Sequence, residues 1–402
     1  MLAQYIPKRF ATAMLKHLVA VTLLFPYFYT ATNNYYCHDF TLANFFAILT
    51  MVFIITSWKL DLKHNSIFLA GLGMLLLAYN GFATYINHTY HHWYGEQINT
   101  TIAFLFFATL LMVKDSHALV DSSVIRSVIH VVVISNVLSL WFYSKHTKIM
   151  FMNDKILIDK TYSQYSWLYY HKSQYAFLLV LCVAFFVVHR KYFRNIFTYL
   201  LSQGLLLVCL YASDVYTSMA AVLLIFAGQF LDYLLKSKWW QKLIVGLAAS
   251  PAFYLILKTL LELIAENRQT RTLATLGLRI PIWQAFVKLI IENPNGMVDD
   301  FFGRNKYLVL ENFRTTNCHN VFLNHMFNYS IPVGGIFVLL FALLILFSIK
   351  RNFSFLTIFI WGALLIPLSF DHSLMVAELP FLFFMVYCMF FREQKTTKKD
   401  TP

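Results

Sequence analysis

The sequence predicts an all-α protein that crosses a membrane about twelve times. Of its 402 residues, 59% are hydrophobic and only 13% are charged, and 40 are Phe and 24 are Tyr. A soluble chain has roughly 25% charged and 45–50% apolar residues. The composition therefore excludes a soluble enzyme, a disordered chain and a disulfide-stapled scaffold.

Apolar segments long enough to span a bilayer follow one another along the chain, since a span needs about 20 mostly apolar residues. The predicted spans are 16–33, 40–57, 66–85, 99–113, 124–143, 174–189, 195–212, 214–234, 243–262, 329–349, 354–371 and 373–391. Residues 1–392 then form a single transmembrane domain, and the polar residues 393–402 form a tail. The first segment lacks a small-residue cleavage site, so we expect it to remain as a span.

The distribution of basic residues predicts that both termini lie in the cytoplasm. With the N-terminus inside, most of the 32 Lys and Arg residues fall in cytoplasmic segments. The short outer turns at 34–39 and 86–98 contain none. This is the positive-inside pattern, and it accounts for the net charge of +13 without nucleic-acid binding.

The remaining cations concentrate in two outer loops, 144–173 and 263–328, or directly beside them. They are Lys145, Lys148, Lys155, Lys160, Lys172, Lys258, Arg268, Arg271, Arg279, Lys288, Arg304, Lys306 and Arg314. Topology disfavours cations on that face, so their concentration indicates a site for an anion such as a phosphate-bearing lipid. The alternative is that both loops are solvated and touch anionic headgroups.

The stretch 279–296 predicts a short amphipathic helix. The apolar residues that recur at helical spacing are Trp283, Phe286, Val287 and Ile290. Asn293-Pro294-Asn295-Gly296 ends the helix. At about 12 residues it is too short to span, so we expect it in the outer interface, with its apolar face toward lipid or the bundle.

Arg279 stands at the N-terminal end of this helix. Free backbone N–H groups and the guanidinium fork both favour a phosphate there. Alternatively, the side chain only reaches toward lipid headgroups.

His319 lies between Cys318 and Asn320, just before the tenth span. A His at the membrane edge titrates near neutral pH and can take a proton from a hydroxyl. A His at a helix start also occurs simply as a polar residue with satisfied hydrogen bonds.

Together these motifs resemble the O-antigen ligase and O-antigen polymerase superfamily. The resemblance is carried by Arg279-Ile-Pro-Ile-Trp283, Glu292-Asn-Pro-Asn-Gly296 and His319-Asn-Val-Phe-Leu323, before a span that bears Gly334-Gly335. The motifs lie within residues 268–335. The rest of the chain matches in topology, with twelve spans and a large outer loop before the tenth.

The resemblance implies a metal-independent glycosyltransferase without a cofactor, at the outer face of the bacterial inner membrane. Its donor would be a glycan linked to undecaprenyl pyrophosphate. In ligases the acceptor is a hydroxyl of lipid A–core, and in O-antigen or capsular polysaccharide polymerases it is a lipid-linked repeat unit. We expect the ligase slightly more than the polymerase.

The resemblance also implies residue roles. Arg279 would bind the pyrophosphate and stabilise it as it leaves, and His319 would deprotonate or orient the acceptor hydroxyl. The motif positions implied to set the shape of the site are Trp283, Pro294, Gly296 and Asn320. The residues implied to share substrate binding are Arg268, Arg271, Arg304, Arg314, Lys155, Lys160 and Asn320.

Two features depart from the superfamily pattern. Ligases carry Ser-Arg or Thr-Arg near the outer start of the eighth span, whereas Ser213–Met219 contains no Arg. The Gly-x-x-Gly expected after His-Asn appears as Ser330-Ile-Pro-Val333, with Gly334-Gly335 following.

Other interpretations are weaker. A transporter or lipid-glycan flippase usually holds ionisable residues in mid-span, whereas here the charges gather at the outer boundary. A non-catalytic scaffold would tolerate loss of Arg279 and His319.

We predict no metal site, because His88, His91 and His92 fit an interfacial aromatic belt better than a metal cluster, and Asp299-Asp300 is an ordinary loop pair.

Overall fold

The structure is a computed structural model. The described residues are 2–24, 42–61, 63, 65–90, 95–145, 148–152, 155–159, 167, 172–236, 238, 254, 258, 279–296, 307–310, 313–315, 318–371 and 378–392.

Most of these residues belong to helices. In chain order they are α1 (Leu2–Leu24), α2 (Leu42–Ser57), α3 (Ser66–Tyr90), α4 (Gly95–Met112), α5 (Ser116–Leu119), α6 (Ser122–Ser144), α7 (Lys172–Val188), α8 (Ile196–Ser213), α9 (Tyr216–Lys236), α10 (Arg279–Glu292), α11 (Val321–Tyr329), α12 (Ile331–Arg351), α13 (Phe355–Phe370) and α14 (Leu379–Val386). A 3-10 turn covers Arg190–Tyr192, and a π-helical segment, Tyr387–Phe391, extends α14.

Five of the described helices are long and apolar enough to cross a membrane. They are Ser66–Ile86 of α3, α6, α8, α9 and α12. Shorter apolar helices include α2, α7 and α13. The chain is thus a helical, multi-pass membrane protein, as predicted, although this does not establish twelve crossings.

The predicted span at 243–262 lies outside the described residues, apart from positions 254 and 258. Residues 25–33 of the first predicted span and residues 373–377 of the last predicted span also lie outside. The first helix begins at Leu2, well before the predicted start at residue 16.

The described chain is mainly helical, as predicted, but each predicted outer loop also contains a short β-hairpin. β1 (Lys148–Met152) pairs antiparallel with β2 (Lys155–Asp159) within the loop 144–173. β3 (Tyr307–Leu310) pairs with β4 (Phe313–Thr315) within the loop 263–328. Apolar and β-branched residues in these segments favour strands, but each run is too short to have counted as a span.

The centre of the bundle is formed by α7 and α14. Every residue from Ser173 to Val187 is buried, and so is every residue of α14 and of the π-helical segment after it. A helix that is apolar all round is buried on all sides. These two helices are therefore held inside the protein, while α3, α8 and α9 present more of their surface to lipid.

Several contacts join segments that are distant in sequence. Leu60 and Val113, next to the predicted cytoplasmic residues Lys59 and Lys114, form a β-bridge, and Arg392 donates to the Tyr192 hydroxyl. Trp167 of the predicted outer loop 144–173 donates to the carbonyl of Leu23 near the end of the described part of α1. The side of the membrane on which each contact lies stays a prediction.

A sharp break separates α11 from α12 and packs against the turn after α10. The backbone N–H of Ile331 donates to the Pro294 carbonyl. Gly296 has a φ of +87°, and a Cβ there would lie 2.7 Å from the Tyr329 carbonyl carbon. Only glycine fits this close approach without strain. The Asn-Pro-Asn-Gly motif thus ends α10 and also fixes the start of α12.

The next contact at this break gives a testable prediction. A Cβ on Gly334 would lie 2.6 Å from the Cα of Met326, whereas a Cβ on Gly335 would meet nothing within 4 Å. Gly334→Ala is therefore expected to destabilise the protein by about 1–3 kcal/mol through overpacking. Gly335→Ala should be neutral or slightly stabilising, because alanine is the better helix former. Thermal unfolding of both variants in detergent checks this, and equal melting temperatures would contradict it.

Candidate functional site

Polar side chains from separate segments of the chain meet at the C-terminal end of α13. Asp371 follows α13, Arg279 is the first residue of α10, His319 precedes α11 and Thr217 lies in the first turn of α9. We refer to these residues as the Asp371 cluster. The structure thereby brings together Arg279 and His319, which the sequence predicted as the two catalytic residues.

Arg279 is held by contacts along one edge of its guanidinium group. Its Nε donates to the Phe370 carbonyl at 2.8 Å, and its Nη2 donates to Asp371 Oδ1 at 3.4 Å. The side chain is only 20% exposed. Two donors of a planar fork fix its orientation. Arg279 is therefore a positioned cation rather than one that merely reaches toward headgroups.

Asp371 places one carboxylate among several donors. Its side chain is 9% exposed. Thr217 Oγ1 donates to Oδ2 at 3.4 Å, and His319 Nδ1 lies 3.8 Å from Oδ1. A carboxylate this buried is costly without an opposite charge. The chain supplies that charge through Arg279, and through His319 whenever its imidazole is protonated.

The backbone at His319 is set by its neighbour Asn320. His319 has a φ of +48°, in the left-handed region. Asn320 caps α11, because its Oδ1 accepts from the N–H groups of Phe322 and Leu323, both at 3.0 Å. Its Nδ2 donates to the Ser369 carbonyl at 3.0 Å. Asn320 therefore fastens the start of α11 to the end of α13, and its expected roles in shaping the site and binding substrate stay predictions.

The amphipathic helix α10 packs on the bundle. Its buried face consists of Ile282, Phe286 and Ile290, which cluster with Cys318 and Phe327. The rings of Phe286 and Phe327 lie 4.8 Å apart. Val287, predicted on the apolar face, is 39% exposed. Ile282, Phe286 and Ile290 thus form the stripe that packs on the bundle, and Val287 lies outside that stripe.

Trp283 connects α10 to the end of α13. Its ring lies 5.3 Å from the ring of Phe370, the residue whose carbonyl accepts from Arg279. The aromatic contact holds α10 beside the last turn of α13. Trp283 therefore supports the position of both Arg279 and Asp371.

Cys318 is a buried free thiol rather than a disulfide partner. Its Sγ donates to the Asn320 carbonyl. Burial raises the pKa of the Cys318 thiol to about 12, so the thiol stays protonated and is a poor nucleophile. No group of three or more potential metal ligands occurs in the described part of the chain.

The other predicted substrate-binding residues are not placed in the cluster. Arg268, Arg271, Arg304 and Lys160 lie outside the described residues. Lys155 and Arg314 lie in β2 and β4, of which the backbone alone is described. Their roles stay predictions.

Two further outer-loop cations have carboxylate partners. Lys172 Nζ lies 3.3 Å from Asp214 Oδ2, at the turn between α8 and α9. Lys288 lies 3.8 Å from Glu292 on the exposed side of α10. The concentration of outer cations noticed in the sequence is thus partly neutralised.

Asp371 and Thr217 were missed as site residues by sequence reasoning. A carboxylate at the end of an apolar span is a signal of function, because charge is expensive there. Nothing in the sequence indicated that Arg279 would meet it, about ninety residues apart along the chain. Thr217 belongs to Ser213–Met219, where the superfamily has an Arg.

The fold and the Asp371 cluster define a class: a helical, multi-pass membrane protein with a buried Arg–Asp pair and a His at the ends of its helices. Comparison with protein-family models gives no match, and comparison with curated proteins gives none either.

The ion pair yields a prediction that does not depend on function. A double-mutant cycle with Arg279→Gln and Asp371→Asn should give a coupling free energy of about 1–3 kcal/mol, since contacting buried partners couple strongly. The matched pair Lys288→Gln and Glu292→Gln is exposed, and should give about 0.3–0.5 kcal/mol. Unfolding by SDS in mixed micelles measures both. Equal coupling in the two pairs would contradict the central position of Asp371.

Proposed function

We propose that the protein is a membrane glycosyltransferase that moves a glycan from undecaprenyl pyrophosphate to a hydroxyl of lipid A–core. The observation that carries the proposal is the meeting of Arg279 and His319 around one carboxylate. The motif resemblance named these two residues together, and they lie far apart in sequence but in one cluster in the fold.

Arg279 is suited to bind the pyrophosphate group of the donor. As the glycosyl carbon–oxygen bond breaks, negative charge collects on the departing pyrophosphate. A fixed cation stabilises that charge without reorganising during the reaction. Asp371 and the Phe370 carbonyl hold the guanidinium group in place. The second phosphate contact would come from the outer-loop Arg and Lys residues, since Ser213–Met219 provides no Arg.

His319 is suited to act as the general base. The acceptor hydroxyl oxygen attacks the anomeric carbon, the bond from that carbon to the pyrophosphate oxygen breaks, and the hydroxyl proton passes to the imidazole. His319 Nδ1 faces Asp371 at 3.8 Å. The carboxylate would stabilise the imidazolium that forms. No step requires a metal ion or another cofactor.

The orientation of the protein is part of the proposal. With both termini in the cytoplasm and twelve crossings, the Asp371 cluster faces the periplasm at the outer surface of the inner membrane. The positive-inside pattern supports this arrangement. The partners are then a lipid-linked donor and a lipid A–core acceptor, both of which reach the cluster from the outer leaflet.

A polysaccharide polymerase is the second candidate, because the same cluster could serve a lipid-linked repeat unit as acceptor. The position of the charges favours a transferase over a transporter. The Arg279–Asp371 pair joins the start of α10 to the end of α13, whereas transporters place paired charges near mid-span.

Complementation of a bacterial strain without its own ligase tests the proposal. Wild type should restore a long-chain ladder on a lipopolysaccharide gel. Arg279→Ala and His319→Ala should each reduce it by about 100-fold or more, because the first removes a group that stabilises transition-state charge and the second removes the general base. Arg279→Lys should recover little, because an ammonium lacks the bidentate fork.

Lys288→Ala is the matched control, since Lys288 lies on the same helix but its side chain is 77% exposed. It should leave the ladder intact, with membrane expression confirmed for every variant. A ladder that survives both Arg279→Ala and His319→Ala would refute the assigned site. No ladder from well-expressed wild type would favour the polymerase.

A further inference from the structure

A positively charged cavity lies between α7 and α8, at the end away from the Asp371 cluster. It is a cavity of about 520 Å³ next to the 3-10 turn, and its polar lining includes Arg190, Lys191 and Asn195. Lys172, at the other end of α7, pairs with Asp214 in the turn between α8 and α9. This turn leads directly to Thr217 of the Asp371 cluster. A helix of 17 residues such as α7 is about 26 Å long at 1.5 Å per residue. The cavity is therefore separate from the Asp371 cluster.

The cations of this cavity are held against aromatic rings. The Arg190 guanidinium carbon lies 5.4 Å from the centre of the Tyr199 ring, and Lys191 Nζ lies 5.5 Å from that of Tyr192. Arg392 also packs over Tyr192 and donates to its hydroxyl. Such contacts orient a basic side chain without neutralising its charge.

The positive charge at this end lacks a carboxylate partner among the described residues. None of the described ion pairs includes Arg190, Lys191 or Arg194. The net field is therefore that of the Arg and Lys side chains, which attracts an anion.

The cavity also adjoins surface that faces lipid. Ile196 lines the cavity and is 51% exposed. Phe197, Leu200 and Leu201, on the following turns of α8, are also exposed. Because α8 is apolar and long enough to span, this face borders acyl chains in a membrane. A molecule with a phosphate in the cavity and hydrocarbon along α8 would satisfy both surfaces.

We propose that this cavity binds the headgroup of an anionic phospholipid of the leaflet opposite the Asp371 cluster. Arg190 and Lys191 contact the phosphate, and the first turns of α8 contact the acyl chains. The lipid is a bound structural partner and is not the glycan donor. The inference is independent of the transferase proposal.

Native mass spectrometry of the full-length protein in detergent tests the site. The probes are dioleoyl-phosphatidylglycerol, which is anionic, and dioleoyl-phosphatidylcholine, which is zwitterionic with no net charge. Arg190→Gln/Lys191→Gln should weaken phosphatidylglycerol binding by about 30-fold, as expected for two basic residues at a lipid surface. Lys350→Gln/Arg351→Gln removes the same charge at the end of α12 and should change binding by less than about threefold.

A swap variant, Arg190→Lys/Lys191→Arg, keeps both charges and should retain binding, which separates lost charge from lost folding. Equal losses in the 190/191 and 350/351 double variants would overturn the proposal. Equal binding of the two lipids to wild type would do the same. Displacement of phosphatidylglycerol by excess inorganic phosphate would assign the cavity to free phosphate and also overturn it.

Discussion

The pairing of Asp371 with Arg279 is the interaction on which the candidate site depends. A carboxylate that is 9% exposed, at the end of the apolar helix α13, needs a cation. Arg279 is the first residue of α10 and supplies this cation, so the N-terminus of α10 lies at that end of α13. The contact between Trp283 and Phe370 and the cap at Asn320 hold the same segments together. One charge pair thus fixes the N-terminus of α10 at the end of α13.

The sequence was most informative where a single helix or a short motif decides the outcome. Apolar length predicted the helices, and Asn293–Gly296 predicted the end of α10, because both signals are local. The site was predicted only in part. Arg279 and His319 were found through motifs, but Asp371 and Thr217 become neighbours only through packing of distant helices, which no local pattern reports.

The features that the sequence left open have the same origin. Val287 and Ile282 are both compatible with an amphipathic helix of fourteen residues, and which of them is buried depends on how α10 rotates against α11. The hairpins β1–β2 and β3–β4 were missed because hydropathy over a span-length window averages out strands of three to five residues. The sequence could not show whether α7 is buried in protein on all sides or exposed to lipid, since both environments are apolar.

The two ends of the bundle use charge in different ways. At the Asp371 cluster a cation is fixed by a carboxylate, which suits reaction chemistry because the charge does not move as the leaving group departs. At the far end Arg190 and Lys191 rest on aromatic rings without a described carboxylate. That arrangement suits a bound anion. The same residue types thus occur in two different arrangements at two ends of the bundle.

The central claim is that Arg279 binds a lipid-linked pyrophosphate, and binding of undecaprenyl pyrophosphate to the purified protein tests it most directly. Undecaprenol, which has the same chain but no pyrophosphate, is the comparison ligand. We predict that wild type and Lys288→Gln prefer the pyrophosphate, and that Arg279→Gln loses this preference by about tenfold or more. An unchanged preference in a folded Arg279→Gln protein would contradict the account.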